Sequence, residues 1–394
     1  MVDMDWAEKL DNIQPFYVME VLRRADELST QGRDIIHLEV GEPDFATPEP
    51  ILAAARKALD MDQTKYSLAT GSKQLREGIA RWYMSQYGVE VSPQRIVITS
   101  GSSGAFMLAF GALLNPGDRF AISDPGYPCY SNMIQLLNAE PVRIPVGPLS
   151  NYQLNAALLQ PELKKGLRGA LVTSPSNPTG TLISEQDFSE VTTLIENHGG
   201  LLISDEIYHG ITYGQSAQTA LEFSDRAVVI NGFSKYFAMT GWRLGWMIVP
   251  EDALGAVEML QQNLFISASS ISQYAAMAAF ECGNVFQEQL EKYNKNRVFL
   301  LDALTKSGFE IAVEPLGAFY IYADISRLLE QTGIADSRQF CNMLLDEAGV
   351  GVTPGLDFGQ HRPGEHLRFS YATSFANIQD GVARISEFIE KHIK

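Results

Sequence analysis

Several features are scarce in this sequence of 394 residues, and each scarcity excludes a class of protein. The three cysteines, Cys129, Cys282 and Cys341, are odd in number and widely spaced, which excludes a disulfide framework; we predict no metal site. Basic residues number 30 against 47 acidic ones, so the net charge of −17 argues against nucleic acid or an anionic membrane surface as partner. The least polar long segment, residues 264–280, is interrupted by serines and a glutamine, so we expect a buried helix and no membrane span.

The sequence also lacks internal repeats, low-complexity tracts and an apolar leader. Residues 1–12 are acidic and have no apolar stretch, so they do not have the pattern of a secretory or transit peptide. Together with the cysteine pattern, this predicts a protein of the reducing cytoplasm.

The middle of the chain alternates short apolar runs with helical patterns, which is typical of a parallel α/β sheet. The runs that we predict as strands are residues 95–99, 119–123, 169–174, 201–204, 227–230 and 245–249. Between two of them, residues 184–199 have helical periodicity, with Ser184 as the predicted N-cap and Gly199 as the stop. These patterns predict a large α/β domain over residues 46–284.

The pattern changes after about residue 284. A long charged helix is predicted over residues 286–308, followed by strands at 317–325 and 366–372. Near the N-terminus, a helix at 17–31 and a strand at 34–40 are predicted. We expect residues 1–45 and 285–394 to form a smaller α+β domain.

Small and polar residues follow each predicted strand of the large domain. They are residues 100–104, 124–127, 175–178, 205–208 and 234–235. Ligands of open parallel sheets bind beyond the carboxyl ends of the strands. We therefore expect these residues to line one site.

Two cations, Lys235 and Arg243, lie in an apolar stretch, which is costly unless an anion or an electrophile meets them. A desolvated lysine has a lowered pKa, which suits Schiff-base chemistry. Asp205 directly follows an apolar run, and a buried carboxylate needs a partner. The small turn at 100–104 begins a helix, whose N–H groups can hold a phosphate. An amine, a buried carboxylate and a phosphate cradle together fit pyridoxal phosphate.

Taken singly, most of these features have plainer interpretations. The turn at 100–104 can be an ordinary strand-to-helix connection, and Asp205 can be a helix cap. Asn177 is a common turn residue. Tyr127 and Tyr208 can be packing aromatics.

Several motifs occur in order over nearly the whole chain: GEPDF, YSLATG, SPSNPTG, SDEIY, FSKYFAMTGWRLGW and LRFSYA. In this set, the sequence resembles the class I/II aminotransferases of fold type I, in the branch of bacterial aspartate, alanine and aromatic aminotransferases. The resemblance implies a mostly parallel seven-stranded sheet flanked by helices, a smaller α+β domain, pyridoxal 5′-phosphate and a homodimer with shared sites. It also implies ping-pong amino transfer between an α-amino acid and a 2-oxo acid, with 2-oxoglutarate or pyruvate as the acceptor.

The resemblance also implies roles for residues around the cofactor ring. Lys235 would form the Schiff base and then act as the general base, and Asp205 would pair with the pyridinium nitrogen. Tyr208 and Asn177 would hydrogen-bond the phenolic oxygen, and Tyr127 would stack on the ring.

A second group of residues would hold the phosphate. It comprises Ser102, Ser103, Ser234 and Arg243, with Tyr66 reaching the phosphate from the partner subunit. Related enzymes often carry lysine or threonine where this chain has Ser103, so the serine is a departure from the family pattern. Its N–H and hydroxyl can still donate to a phosphate.

A third group would bind the substrate. Arg368 would clamp the α-carboxylate as a bidentate fork, helped by the backbone of Gly41 and the amide of Asn177. Phe16 and Tyr17 lie where relatives close a segment over the substrate side chain. This favours an uncharged or aromatic substrate over a dicarboxylate, unless both residues only pack the smaller domain.

Two other functions share parts of this pattern. A carbon–sulfur β-lyase, or a cyclising enzyme of the aminocyclopropane-carboxylate synthase kind, would carry almost all the same motifs. A non-catalytic sensor on the same fold is a more distant alternative. Such regulators carry an N-terminal DNA-binding domain, whereas the aminotransferase pattern begins here within about the first fifteen residues of an acidic chain.

Overall fold

The computed structural model describes residues 6–393. Residues 1–5 and 394, which fall within the predicted smaller domain, lie outside the described residues. The strands are β1 (Ile36–His37), β2 (Ile96–Thr99), β3 (Arg119–Asp124), β4 (Glu140–Pro145), β5 (Leu167–Thr173), β6 (Leu201–Asp205), β7 (Val228–Gly232), β8 (Gly245–Ile248), β9 (Tyr320–Asp324), β10 (Val350–Gly351), β11 (Thr353–Pro354) and β12 (His366–Ser370). The α-helices are α1 (Tyr17–Thr30), α2 (Glu49–Asp60), α3 (Lys73–Tyr87), α4 (Gly101–Leu113), α5 (Pro128–Leu136), α6 (Ala156–Leu163), α7 (Glu185–Asn197), α8 (Leu254–Leu264), α9 (Ser270–Met277), α10 (Gly283–Lys306), α11 (Ser326–Thr332), α12 (Ser337–Met343) and α13 (Phe375–His392).

Seven strands form the largest sheet, in the order β2-β8-β7-β6-β5-β3-β4. β8 is antiparallel to both of its neighbours, and the other pairs are parallel. The six apolar runs correspond to six of these strands, and the mostly parallel seven-stranded sheet is confirmed. The sequence does not predict β4, because Pro141 and Pro145 have no backbone N–H to donate to a neighbouring strand. Prolines are tolerated in β4 because it is an edge strand of the sheet.

Both faces of this sheet are buried, because helices cover each side. In β5, Leu171 packs into one apolar cluster and its neighbours Ala170 and Val172 pack into another. This alternation follows from the two-residue period of a strand. It explains why the strand sequences are continuous apolar runs, as expected of a sheet covered on both faces.

Two smaller sheets lie in the remainder of the chain. β11, β12 and β9 form an antiparallel sheet in that order, and β1 pairs in parallel with β10. Side chains of β1, β9, β10 and β12 share a separate apolar cluster with residues of α10 and α13. The strand predicted over residues 34–40 shortens to β1, and the domain boundaries at 45 and 284 stay predictions.

Capping residues define several helix ends as expected. Ser184 accepts a hydrogen bond from the N–H of Asp187 and begins α7. The single helix predicted over residues 264–280 is wrong in its extent, because α8 ends at Leu264 and Ser269 caps a new helix, α9. Within residues 6–393, none of the helices combines the length and the apolar character that crossing a bilayer requires.

Gly169 is required where β5 passes between β3 and β6. A methyl group there would overlap the carbonyl oxygen of Leu201 and lie 2.7 Å from a ring carbon of Phe120. We expect Gly169→Ala to destabilise the protein by about 1–3 kcal/mol, the usual cost of overpacking. Urea denaturation followed by circular dichroism measures this.

Gly147→Ala is the matched control, because the space around Gly147 is open and its φ of −154° suits any residue. Equal stability of the two variants would contradict the close packing of β5 against β6.

Candidate active site

A cavity of about 390 Å³ opens beyond the carboxyl ends of the central strands. All predicted site residues except Tyr66 and Tyr17 line it, namely Phe16, Gly41, Ser102, Ser103, Tyr127, Asn177, Asp205, Tyr208, Ser234, Lys235, Arg243 and Arg368. They come from the ends of β2, β3, β5, β6 and β7, from the turn before β8, from β12, from the loop after β1 and from the segment before α1. The geometry therefore brings together residues that are far apart in the chain.

Lys235 presents an amine inside this cavity. Its Nζ donates a hydrogen bond to the carbonyl oxygen of Gly41 at 2.5 Å. Burial lowers the pKa of Lys235 to about 8, and the positive charges of Arg368 and Arg243 contribute to the lowering. A lysine with such a pKa is partly neutral near pH 7–8, as a nucleophilic amine must be.

Asp205 ends β6, the middle strand of the sheet, and is 3% exposed. Its carboxylate accepts hydrogen bonds from the hydroxyl of Tyr130 and from the N–H of Ile207. Burial raises the pKa of Asp205 to about 6, although these hydrogen bonds and Lys235 oppose the shift. The carboxylate lines the cavity, where a cationic partner would stabilise its ionised form.

The first turn of α4 and Arg243 form a cradle for an anion. Gly101 has a φ of +72°, and a methyl group there would lie 2.7 Å from a guanidinium nitrogen of Arg243. Ser102 and Ser103 follow in the same turn and line the cavity. Among the described residues, the N-cap side chain of Ser100 makes no hydrogen bond to this helix end. The free N–H groups and the guanidinium suit a phosphate.

Arg368 reaches the cavity from β12, the middle strand of the three-stranded sheet. Its side chain is buried and donates hydrogen bonds to the amide oxygen of Asn177 at 2.9 Å and to the carbonyl oxygen of Glu39 at 2.6 Å. Its Nε atom is buried without a hydrogen-bond partner among residues 6–393. A planar guanidinium held in this way can receive a carboxylate.

Several lining residues were missed by the sequence analysis. Tyr130 and Tyr320 were not predicted, because nothing in their local sequence distinguishes them from packing aromatics. An apolar wall formed by Val18, Met19 and Leu22 was also missed, since helical periodicity alone does not say what a helix faces.

Phe16 and Tyr17 lie in different surroundings, and closure of their segment over a substrate stays a prediction. Phe16 lines the cavity. Tyr17 is not among the lining residues, and its ring instead lies against the guanidinium of Arg338 at 4.7 Å. The backbone explains the difference, because α1 begins at Tyr17 and turns the two side chains apart.

The residues present fit pyridoxal 5′-phosphate. A buried carboxylate that lines the cavity suits the pyridine nitrogen, the cradle at α4 suits the phosphate, and Lys235 supplies the amine. The cavity volume of about 390 Å³ is within the range usual for small-molecule sites.

Comparisons with known proteins agree with this geometry. The family model for class I and II aminotransferases matches residues 33–385. A valine–pyruvate aminotransferase of Mycobacterium tuberculosis is 42% identical over 96% of this chain and 97% of its own length. An aspartate aminotransferase of Bacillus subtilis is 31% identical over 99% of this chain and its whole length. The crystal structure of an aminotransferase from Mycobacterium tuberculosis superposes with a TM-score of 0.94 at 41% identity, covering 98% of this chain and 100% of that one.

The chain belongs to the class I/II aminotransferases. It is a transaminase of fold type I that depends on pyridoxal 5′-phosphate and moves an amino group between an amino acid and a 2-oxo acid. The function predicted first is thereby confirmed at this level. The roles of individual residues stay predictions.

Lys235 is the only primary amine among the described residues that line the cavity. We expect Lys235→Ala to lose the covalent link to the cofactor and to reduce turnover by several orders of magnitude, because anchor and base are removed together. Borohydride reduction followed by peptide mass mapping measures the link, and the absorbance of the bound cofactor gives a second measure.

Lys295→Ala is the control, since that amine lies 3.8 Å above the ring of Phe375 and outside the cavity. Cofactor mass on another lysine, or normal turnover by Lys235→Ala, would overturn the assignment.

Proposed function

We propose that this enzyme uses α-amino acids with uncharged, apolar side chains as donors and pyruvate as the preferred acceptor. The observation that carries the proposal is the apolar wall at the start of α1, which lines the same cavity as the three cations. Its side chains are those of Val18, Met19 and Leu22, and Phe16, just before α1, also lines the cavity.

The charges of the cavity support the same conclusion. Its cationic side chains are Lys235, Arg243 and Arg368. Each already has a proposed partner, since Lys235 would meet the cofactor aldehyde, Arg243 its phosphate and Arg368 the substrate α-carboxylate. Among the described lining residues there is no fourth cation for a distal carboxylate. Glu42, which also lines the cavity, would repel one.

The acceptor follows from the same wall. Of the two acceptors that the resemblance implies, pyruvate has only a methyl group to place against it. 2-Oxoglutarate would have to bury a carboxylate there without a partner, which is costly. Pyruvate is therefore favoured, and the name of the valine–pyruvate relative is consistent with this choice.

The chain's own residues would divide the work of the reaction. When bound, pyridoxal phosphate supplies an electron sink for the substrate α carbon. Lys235 would hold the cofactor and carry the proton that leaves the α carbon, and Asp205 would keep a proton on the ring nitrogen. Arg368 would orient the α-carboxylate as a bidentate fork, with Asn177 alongside it.

The remaining lining residues would position the cofactor and the substrate. The phosphate would be held at the start of α4 by Ser102, Ser103, Ser234 and Arg243. Tyr127 would stack on the ring, and Tyr208 with Asn177 would hydrogen-bond the phenolic oxygen. Gly41 would offer its backbone to the substrate carboxylate.

Adding a cation to the wall tests the proposed side-chain preference. We expect Met19→Arg to shift the ratio of kcat/KM for aspartate over valine by about tenfold or more towards aspartate, because the new guanidinium would pair with the distal carboxylate. Met19→Gln is the matched control, since it has similar length without the charge. An unmodified enzyme that prefers aspartate to valine would refute the proposed substrate class.

We also propose a homodimer in which Tyr66 completes the partner's site. Tyr66 is 80% exposed and does not line the cavity of its own chain. Tyr66 and Tyr274 of α9 line one surface pocket, and Met61 and Leu68, on the segment after α2, are further exposed apolar side chains. Apolar surface of this kind is commonly covered by another protein, and a second copy is the occupant that the resemblance implies.

Subunit mixing tests the shared site. Tyr66→Phe dimers should retain the cofactor poorly and Lys235→Ala dimers should lack turnover. In a heterodimer with shared sites, one site carries both substitutions and the other carries neither. After random exchange of equal amounts, about a quarter of all sites would be intact, so activity should return.

Absence of any return of activity, with heterodimers demonstrated by native mass spectrometry, would place Tyr66 in its own subunit's site or in none.

The cellular location and the division into domains also stay proposals. The three cysteines are free, which suits the reducing cytoplasm that we propose as the location. We propose the division into a large domain at 46–284 and a smaller one at 1–45 and 285–394. On this division, Arg368 would act from the smaller domain, and substrate binding could close the two together.

A further inference from the structure

Tyr320, the first residue of β9, lies in the cavity between Tyr208 and Arg368, which have separate proposed roles. The side chain is buried, with 1% of its surface exposed. Neither the family motifs that we quoted nor the predicted roles include it. Its neighbours within the cavity suggest what it does.

The strand register explains how Tyr320 comes beside Arg368. In the antiparallel pair of β9 and β12, Arg368 lies opposite Tyr322 and Ser370 lies opposite Tyr320. Residues two apart on a strand share a face, so Tyr320 and Arg368 are diagonal neighbours on one face of the sheet. The register of β9 and β12 therefore places Tyr320 next to Arg368.

The hydroxyl of Tyr320 is aimed at Tyr208. The two phenolic oxygens are 2.8 Å apart, and either can be the donor. The backbone passes so close above this hydroxyl that a methyl group at Gly41 would overlap it. If Tyr208 donates its own proton to a cofactor oxygen, its oxygen must accept, and Tyr320 is placed to be the donor.

The ring of Tyr320 supports the guanidinium of Arg368. The guanidinium carbon lies 4.4 Å from the centre of this ring and 4.9 Å from that of Phe358. Aromatic faces attract a cation at this distance and restrict its tilt. A guanidinium in contact with two rings is restricted in the orientation that it presents to a carboxylate.

From these contacts we infer that Tyr320 is a positioning residue that connects the two ends of the site, orienting the hydroxyl of Tyr208 and the guanidinium of Arg368. The inference rests on the proposed roles of those two residues. A purely structural Tyr320 would only fill space, as its edge contact with Phe319 at 4.9 Å also does. The two interpretations differ in what a loss of the hydroxyl alone should change.

The first test removes the hydroxyl and keeps the ring. Hydrogen bonds to an anionic oxygen lower its pKa, and a donor chain strengthens each member. Tyr320→Phe should therefore move the pH midpoint of the bound cofactor's visible absorbance upward, by about half a pH unit. Absorbance titration of the resting holoenzyme without substrate measures this, so turnover is not needed.

Tyr322→Phe is the matched control for the hydroxyl. Tyr322 lies on the same strand and the same face of the sheet. Its ring stacks on that of His366, with the ring centres 4.7 Å apart, and not on Tyr208. This variant should leave the midpoint unchanged.

A double variant tests whether the effect passes through Tyr208. Tyr208→Phe should shift the midpoint in the same direction, and adding Tyr320→Phe to it should cause no further shift. Full additivity of the two shifts would mean that Tyr320 does not act through Tyr208 and would overturn the inference.

The second test removes the ring. Tyr320→Leu should raise KM roughly fivefold for valine, leucine and alanine in common, because the loosened guanidinium binds the carboxylate that they share. Tyr320→Phe should leave these KM values nearly unchanged. Circular dichroism and thermal unfolding identify a variant that fails to fold.

The outcomes separate the inference from the proposed function. If Tyr208→Phe shifts the midpoint and Tyr320→Phe behaves like the Tyr322→Phe control, Tyr320 is structural and the inference fails alone. If neither variant shifts the midpoint, the role proposed for Tyr208 fails together with the inference. A KM effect of Tyr320→Leu that differs between amino acids would contradict support of Arg368.

Discussion

The burial of the Asp205 carboxylate at the end of the middle strand is the constraint on which the rest of the site depends. An ionised group in that position is costly unless a cation meets it, and burial raises the pKa of Asp205 to about 6. The protein satisfies part of the requirement through Tyr130 and the N–H of Ile207. The remaining stabilisation of the ionised carboxylate must come from a group in the cavity. A ligand with a protonated nitrogen would supply it.

Parallel strands bring the other groups to this carboxylate. β5, β6 and β7 end at one edge of the sheet, so Asn177 and Lys235 follow their strands towards Asp205. Arg368 arrives from a different sheet and, after burial itself, is the largest cause lowering the pKa of Lys235 to about 8. The residue proposed to bind the substrate carboxylate and the lysine proposed to hold the cofactor are therefore electrically coupled.

How well the sequence predicted the structure depended on the range of the interactions. The apolar runs predicted six strands because the residues of a strand that is buried on both faces must all be apolar. β4 was not predicted because it contains two prolines, which a strand tolerates only at the edge of a sheet. The helix expected over residues 264–280 is interrupted because Ser269 caps a second helix. Tyr17 lies outside the cavity that Phe16 lines, because α1 begins at Tyr17 and turns the two side chains apart.

The sequence by itself determined the chemistry of the site. A lysine in an apolar stretch, a carboxylate after a buried strand and a small-residue turn before a helix have few uses apart from a phosphorylated electrophile, and their desolvation follows from their immediate neighbours. The tertiary structure decided which residues surround that chemistry. The apolar wall of α1, the hydrogen bond from Tyr130 to Asp205 and the position of Tyr320 between Tyr208 and Arg368 join residues that lie far apart in the chain. Such contacts depend on strand register and helix rotation, which long-range packing sets and local sequence does not encode.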